Sequence, residues 1–396
     1  MLNDRPDRLG GYPFHRLTRL LSAIEPPAGL APLVMSVGEP QLPVPALAIE
    51  TLHRNDALWN KYPPMAGTPE LREAIAGWLT RRYQLPATMI DPARHVAPLV
   101  GTREGLMQLA LAVVPTQKNG KPPRVCLPNP FYHVYAGAAA YSGAELGLVP
   151  TSRSTGFLPD LDALDAKLLD QTALFYLCSP SNPQGTVADI AYFKRLIGLA
   201  RTHDFVLAVD ECYAEIYDGA APIGALEACR ELGGSLDHVV VLHSLSKRSS
   251  VPGLRSGFAA GDADVIKALL RVMDYGGGGM PLPVQATATA LWQDEAHVEA
   301  VRQVYAENFR VAERILGNRL GFYRPAGGFF LWLDVGDGVE AAASLWREGA
   351  VRTLPGAYLA EDAPGGNPGA AYLRVALVHP PETTETGLRR LAQILS

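Results

Sequence analysis

No uninterrupted apolar run in this chain approaches the roughly 18 residues that a membrane-spanning helix needs, so a transmembrane protein is not expected. The opening MLNDRPDRLGGYPFHRL lacks the apolar stretch of an export signal, and we expect a cytoplasmic protein that contacts no membrane. Cysteine is scarce. Cys126, Cys178, Cys212 and Cys229 are the only four in 396 residues, irregularly spaced and mostly within or beside apolar runs. That pattern suits reduced core thiols and argues against a disulfide framework or a zinc site. Basic blocks are missing too: 35 Lys and Arg face 40 Asp and Glu for a net charge of -5, with no cluster to track a phosphate backbone. A nucleic-acid partner is therefore not expected. Low complexity is confined to the four glycines Gly276 to Gly279, and no internal repeat occurs.

What is present is apolar material, 48% of residues against 19% charged, enough for a large core. The length suits one large α/β unit with a smaller companion. The Pro-rich stretch carrying Pro26, Pro27, Pro32, Pro40, Pro43 and Pro45 reads as an extended arm rather than a packed helix. From Thr68 the spacing of Leu71, Ile75, Trp78 and Leu79 predicts an amphipathic helix. Short apolar runs then alternate with helical patterns: VAPLV (96–100), RVCL (124–127), ALFYLC (173–178), FVLAV (205–209) and VVVL (239–242). Such runs are typical of strands buried on both faces, and the alternation predicts an open, doubly wound α/β domain with a mostly parallel sheet. After the glycine run some thirty-five residues are helical in period without a strand, and GGFFLWLDV (327–335) and AYLRVALV (371–378) then suggest a small α+β domain. The expected division is 1–45 as arm and part of the small domain, 46–279 as the large domain, and 280–396 as the small domain.

In open parallel sheets, ligands bind beyond the carboxyl ends of the strands, so the residues that follow each run carry information. VAPLV leads into Gly101-Thr102-Arg103-Glu104, ALFYLC into Ser179-Pro180-Ser181-Asn182-Pro183, FVLAV into Asp210-Glu211, and VVVL into His243-Ser244-Leu245-Ser246-Lys247. Each has an ordinary reading: a helix cap at Gly101-Thr102, a turn at Asn182, a capping carboxylate at Asp210. Lys247 is harder to dismiss, because a lysine desolvated just past a buried strand has a lowered pKa and a usable neutral amine. A lysine that can form a Schiff base and an acid that can pair a pyridinium nitrogen are the two groups pyridoxal phosphate chemistry requires. The phosphate then calls for a helix N-terminus, at Gly101-Thr102, and a cation, at Arg255.

The set GTREG, NPFYHVY, SPSNPQGT, VDECYAEIY, SLSKRSSVPGLRSG and YLRVALV resembles the class I/II aminotransferases of the fold type I pyridoxal phosphate superfamily, in the family's order. Its most specific part is Ser-x-Ser-Lys followed by Gly-x-Arg-x-Gly. Within that family, SVGEP, CSPSNP and NPGAAYLRVALV are most similar to the N-succinyldiaminopimelate aminotransferases of lysine synthesis. The resemblance implies a homodimer with shared active sites and a ping-pong transfer of an amino group between glutamate and a keto acid. It implies that Lys247 carries the cofactor covalently and moves the substrate proton, that Asp210 pairs the ring nitrogen, and that Tyr213 and Asn182 bond the phenolic oxygen. It further implies that Tyr132 stacks on the ring and that Gly101, Thr102, Arg103, Ser244, Ser246 and Arg255 complete the cofactor site, with Tyr62 supplied by the other subunit. The resemblance also implies that Arg374, with the backbone at Gly38 and with Asn182, takes the substrate α-carboxylate.

The segment DYGGGGMPLPVQ departs from the succinyldiaminopimelate pattern by its glycines and leaves the acceptor open. Arg16, Arg19 and Arg248 are all candidates for a distal carboxylate. An aminotransferase with aspartate, alanine, methionine or aromatic specificity, or a C–S lyase on the same scaffold, would carry nearly the same cofactor residues. Ser244 to Lys247 also spells Ser-x-x-Lys of the serine β-lactamases, but Ser-Asp-Asn and Lys-Thr-Gly are absent. A sensor domain attached to a DNA-binding module lacks its helix-turn-helix.

Overall fold

The computed structural model describes residues 2–395. Seven strands form one sheet in the order Val96–Leu99, Gly257–Gly261, Val239–Ser244, Val206–Asp210, Thr172–Cys178, Arg124–Asn129, Glu145–Pro150. The five from Val239–Ser244 to Glu145–Pro150 pair in parallel, while Gly257–Gly261 is antiparallel to both of its neighbours. Six strands thus point the same way and carry their carboxyl ends to one edge. The expected runs all form strands within two residues of their sequence limits. Two strands of this sheet were not expected: Glu145–Pro150, a half-buried edge, and Gly257–Gly261, whose GFAAG has one bulky side chain and no β-branching.

Side chains along each central strand alternate between two cores. Leu207, Val209, Val239 and Val241 join Trp78, Phe193 and Trp292 on one face, while Ala208, Val240 and Leu242 join Leu106, Tyr135 and Ile266 on the other. Helices therefore cover both faces, as the near-continuous apolar runs require. The helix Pro69–Arg82 begins where expected, with Thr68 accepting from the Leu71 N–H and Pro69 at its first position.

A second sheet runs Leu354–Pro355, Tyr372–Ala376, Phe330–Asp334, all antiparallel, and Arg374 stands opposite Trp332 on it. The expected boundary at Gly279 precedes a helix that packs in the large core. Helix Leu282–Gln293 buries Val284, Ala288, Leu291 and Trp292 with Trp78 in the large core, and the change of core falls between Gln293 and the long helix Ala296–Leu316. Periodicity alone could not separate these two consecutive helices.

The amino-terminal arm is not extended throughout. Before the prolines it forms a helix, Pro13–Leu21, which buries Leu17 and Leu21 beside Trp332 and Leu354. The proline stretch is extended as expected, and its Leu33–Val34 pairs in parallel with Val351–Arg352. Among the described residues no helix is long and apolar enough to cross a membrane.

Candidate active site

A cavity of about 360 Å³ opens at the carboxyl edge of the large sheet. It gathers nearly every residue singled out at the strand ends: Gly38, Thr102, Arg103, Tyr132, Asn182, Asp210, Tyr213, Ser244, Ser246, Lys247, Arg255 and Arg374. Strand direction explains the gathering, since Asp210, Ser244 and Cys178 end parallel neighbours and Arg255 precedes the strand that runs the other way.

Lys247 sits in the short helix Leu245–Arg248, whose cap is the Ser244 hydroxyl accepting from the Ser246 N–H at 3.1 Å. Its Nζ donates to the Gly38 carbonyl and lies 5.6 Å from the centre of the Phe329 ring. Burial pulls its pKa down to about 8, against the opposing pull of Cys212 and Glu39. Gly38 has no room for a side chain, because a Cβ there would come within 2.6 Å of the Phe330 ring.

Asp210 is buried; its Oδ1 accepts from the Cys212 N–H at 3.2 Å and its Oδ2 from the Tyr135 hydroxyl at 2.8 Å. Burial raises its pKa, and the hydrogen bonds from Cys212 and Tyr135 oppose that shift. Tyr213, packed edge-on against Phe329 and Phe330, is pushed well up by burial and remains a phenol donor.

Arg374 is fully desolvated. Its Nη1 donates to Asn182 Oδ1 at 2.8 Å, its Nη2 to the Ser36 carbonyl at 2.7 Å, and its guanidinium lies 4.3 Å above the Phe330 ring. Nε has no partner, and burial lowers the pKa to about 10, so the group stays cationic at neutral pH. Arg255 has a left-handed backbone (φ 53°), and its Nη2 meets Glu104 at 3.0 Å. Gly101, at φ 84°, lies so close to that guanidinium that a Cβ would sit 2.1 Å from Nη2. Only glycine suits both the backbone and the approach.

The side chain of Arg103 turns away from Arg255: Nε donates to the Tyr132 hydroxyl at 3.1 Å, and Nη2 reaches the Tyr12 hydroxyl at 3.4 Å and His133 Nε2 at 3.1 Å. Tyr62 is fully exposed and does not line the cavity of its own chain. Gly276 to Gly279 do not line it either; Gly279 packs against Pro63 and Met65, beside Tyr62. Of the distal-cation candidates, Arg248 is spent on Glu295 and on the carbonyls of Leu291 and Asp294, and Arg16 stacks on Tyr358. Sequence reasoning missed Phe14, His133, Tyr135 and Cys212. His133 is held down to about 4 by burial and by Arg103 and Arg374, so it lines the cavity as a neutral ring. Cys212, read as a core thiol, lines the cavity with its Sγ 3.1 Å from Thr102 Oγ1.

The family described as "Aminotransferase class I and II" matches residues 32–391. The chain belongs to that family. An LL-diaminopimelate aminotransferase of Syntrophobacter fumaroxidans is 30% identical over 99% of this chain and 98% of its own. An aminotransferase structure from Neisseria meningitidis is 37% identical with a TM-score of 0.95, covering 100% of both chains. A probable N-succinyldiaminopimelate aminotransferase of Thermus thermophilus is 29% identical with a TM-score of 0.82, over 96% of this chain and 98% of that one.

Aminotransferases of this family use pyridoxal phosphate, and the residues fit it. Asp210 is a buried carboxylate with no ion pair among the described residues, which suits a pyridinium nitrogen. The cradle of Gly101, the start of helix Thr102–Val113 and Arg255 suits a phosphate. When bound, the cofactor supplies an aldehyde for the amino group and a ring that accepts electrons. The lowered Lys247 pKa gives a test on the apoenzyme. Only the neutral amine attacks the aldehyde, so cofactor uptake followed by stopped-flow absorbance should accelerate as pH rises through about 8 and level off above it. A rate still climbing at pH 10 would mark an ordinary lysine.

Proposed function

We propose that this aminotransferase moves an amino group between glutamate and a keto acid that also carries a distal carboxylate, by a ping-pong mechanism, and that the keto acid is the N-succinyl derivative of the diaminopimelate series. The observation that carries the reading is a pair of guanidiniums: Arg374 and Arg103 line one cavity, and neither meets a carboxylate among the described residues. Arg374 takes the α-carboxylate through its fork. Arg103, turned from the phosphate cradle and held by neutral acceptors, takes the distal one. His133, neutral and subject to both charges, lies between these roles without competing for an anion.

The names of the relatives divide between free LL-diaminopimelate and its succinyl form. Within the described residues only two carboxylates line the cavity, Asp210 and Glu104, and Glu104 is held by Arg255. Among the described residues that line this cavity, a free distal ammonium therefore meets no uncommitted acid, whereas a succinyl amide is neutral there. This supports the succinylated acceptor. The exposure of Tyr62, together with that of Trp59 and Tyr275, supports a homodimer in which Tyr62 completes the partner's site.

With the cofactor bound, Lys247 would hold it covalently and carry the proton from the substrate α-carbon, Asp210 would pair the ring nitrogen, and Tyr213 and Asn182 would donate to the phenolic oxygen. The primary test is glutamate alone: purified holoenzyme should release about one 2-oxoglutarate per site with no acceptor present. No release would refute the donor and the ping-pong scheme. N-succinyl-2-amino-6-ketopimelate should then regenerate the starting form faster than the unsuccinylated acid. Replacing Arg103 by Ala should lower kcat/KM roughly 30-fold or more for dicarboxylates, and leave the slow reaction with alanine unchanged. An equal loss with alanine would return Arg103 to the cofactor.

A further inference from the structure

The acid at the ring nitrogen has a partner of its own. Asp210 ends the strand Val206–Asp210, and the two-residue alternation that sends Ala208 to one core sends the Asp210 side chain the same way, towards helix Val134–Ser142. There the buried Tyr135 donates its hydroxyl to Oδ2 at 2.8 Å. Tyr135 does not line the cavity. Its ring is stacked on Tyr176, centroids 4.7 Å apart and planes within 10°, and Tyr176 is pinned by its own hydroxyl on the Leu106 carbonyl at 2.6 Å. The oxygen is therefore fixed in place.

Burial favours the neutral form of a carboxyl, and a neutral Asp210 could not pair a pyridinium. Around it stand Tyr132, Tyr135, Cys178, Cys212 and Tyr213, all uncharged, and His243, which is itself paired with Glu211 at 3.0 Å. The hydroxyl of Tyr135 is pushed well above its usual range by burial and by Asp210, so it stays a donor throughout the working pH range. We propose that Tyr135 is a positioning residue, which keeps Asp210 ionised and aimed at the cofactor's ring nitrogen and acts on the cofactor only through Asp210.

The inference rests on Asp210 facing that nitrogen, and the test separates the two. Wild-type and Tyr135→Phe apoenzyme are titrated with pyridoxal phosphate and with its 1-deaza analogue, in which a C–H replaces the ring nitrogen. The variant should bind pyridoxal phosphate about tenfold more weakly or worse, the range of a lost hydrogen bond to a charged group, and bind the analogue as wild type does. Unchanged affinity for pyridoxal phosphate, or an equal loss for both ligands, overturns the proposal. Wild-type protein that binds both ligands equally overturns the Asp210 assignment itself, and the proposal with it. If the variant apoprotein does not fold, 3-fluorotyrosine at position 135 keeps the shape and strengthens the donor. It should then bind pyridoxal phosphate at least as tightly as wild type, and weaker binding overturns the proposal.

Discussion

Replacing Lys247 by Ala should lower turnover by roughly 10⁴-fold or more, because one side chain serves as anchor for the cofactor and as carrier of the substrate proton. The substitution removes an amine whose pKa burial has brought to about 8, and with it the contact to the Gly38 carbonyl. It spares the framework: the helix Leu245–Arg248 is capped by Ser244, and Arg248 is anchored on Leu291 and Glu295. Thermal unfolding should therefore stay near wild type, and pyridoxal phosphate should still bind, reversibly, through Asp210 and the Arg255 cradle. Wild-type turnover in the variant would sink the mechanism.

Lys247 was legible in the sequence because its position is a matter of topology. Once five apolar runs are read as parallel strands, the residue after each run must arrive at one edge, and Asp210, Asn182, Ser244 and Lys247 meet there. What escaped was what depends on side-chain direction. Arg103 follows Thr102 at the start of its helix and reads as a phosphate ligand, yet its guanidinium swings to Tyr132 and His133. Nothing in the string GTREG encodes that turn. Tyr135 had a usable signal: it stands three residues after Tyr132 at a helix start, so a second aromatic follows the first by about one turn. Its partner could be found only with the strand register. The helix Pro13–Leu21 was missed for a simpler reason, that nine residues before a proline-rich stretch give too little periodicity to outweigh it. Gly257–Gly261 is held as a strand by the two neighbours it sits between, not by its own residues.

Arg374 should show function and stability pulling in opposite directions. Its guanidinium is buried against Phe330 with no anion among the described residues, and the cost of that desolvation is visible in a pKa drawn down to about 10. Replacing it by Met, of similar reach, should cost about 2–5 kcal/mol of substrate binding in the transition state, roughly 30- to 5,000-fold in kcat/KM, for amino donor and keto acid alike. The same change removes an uncompensated buried charge and fills its space with an apolar chain, so the apoprotein should unfold at an unchanged or higher temperature. The carbonyls of Asn182 and Ser36 lose a donor each, which limits the gain. Arg374→Lys should recover little activity, because a single ammonium cannot hold Asn182 and grip a carboxylate with a planar fork at once. Steady-state kinetics on both substrates and calorimetry of the apoprotein read the two effects separately. Unchanged kcat/KM would remove Arg374 from the substrate site, and a large loss of stability in the Met variant would make it a structural cation instead.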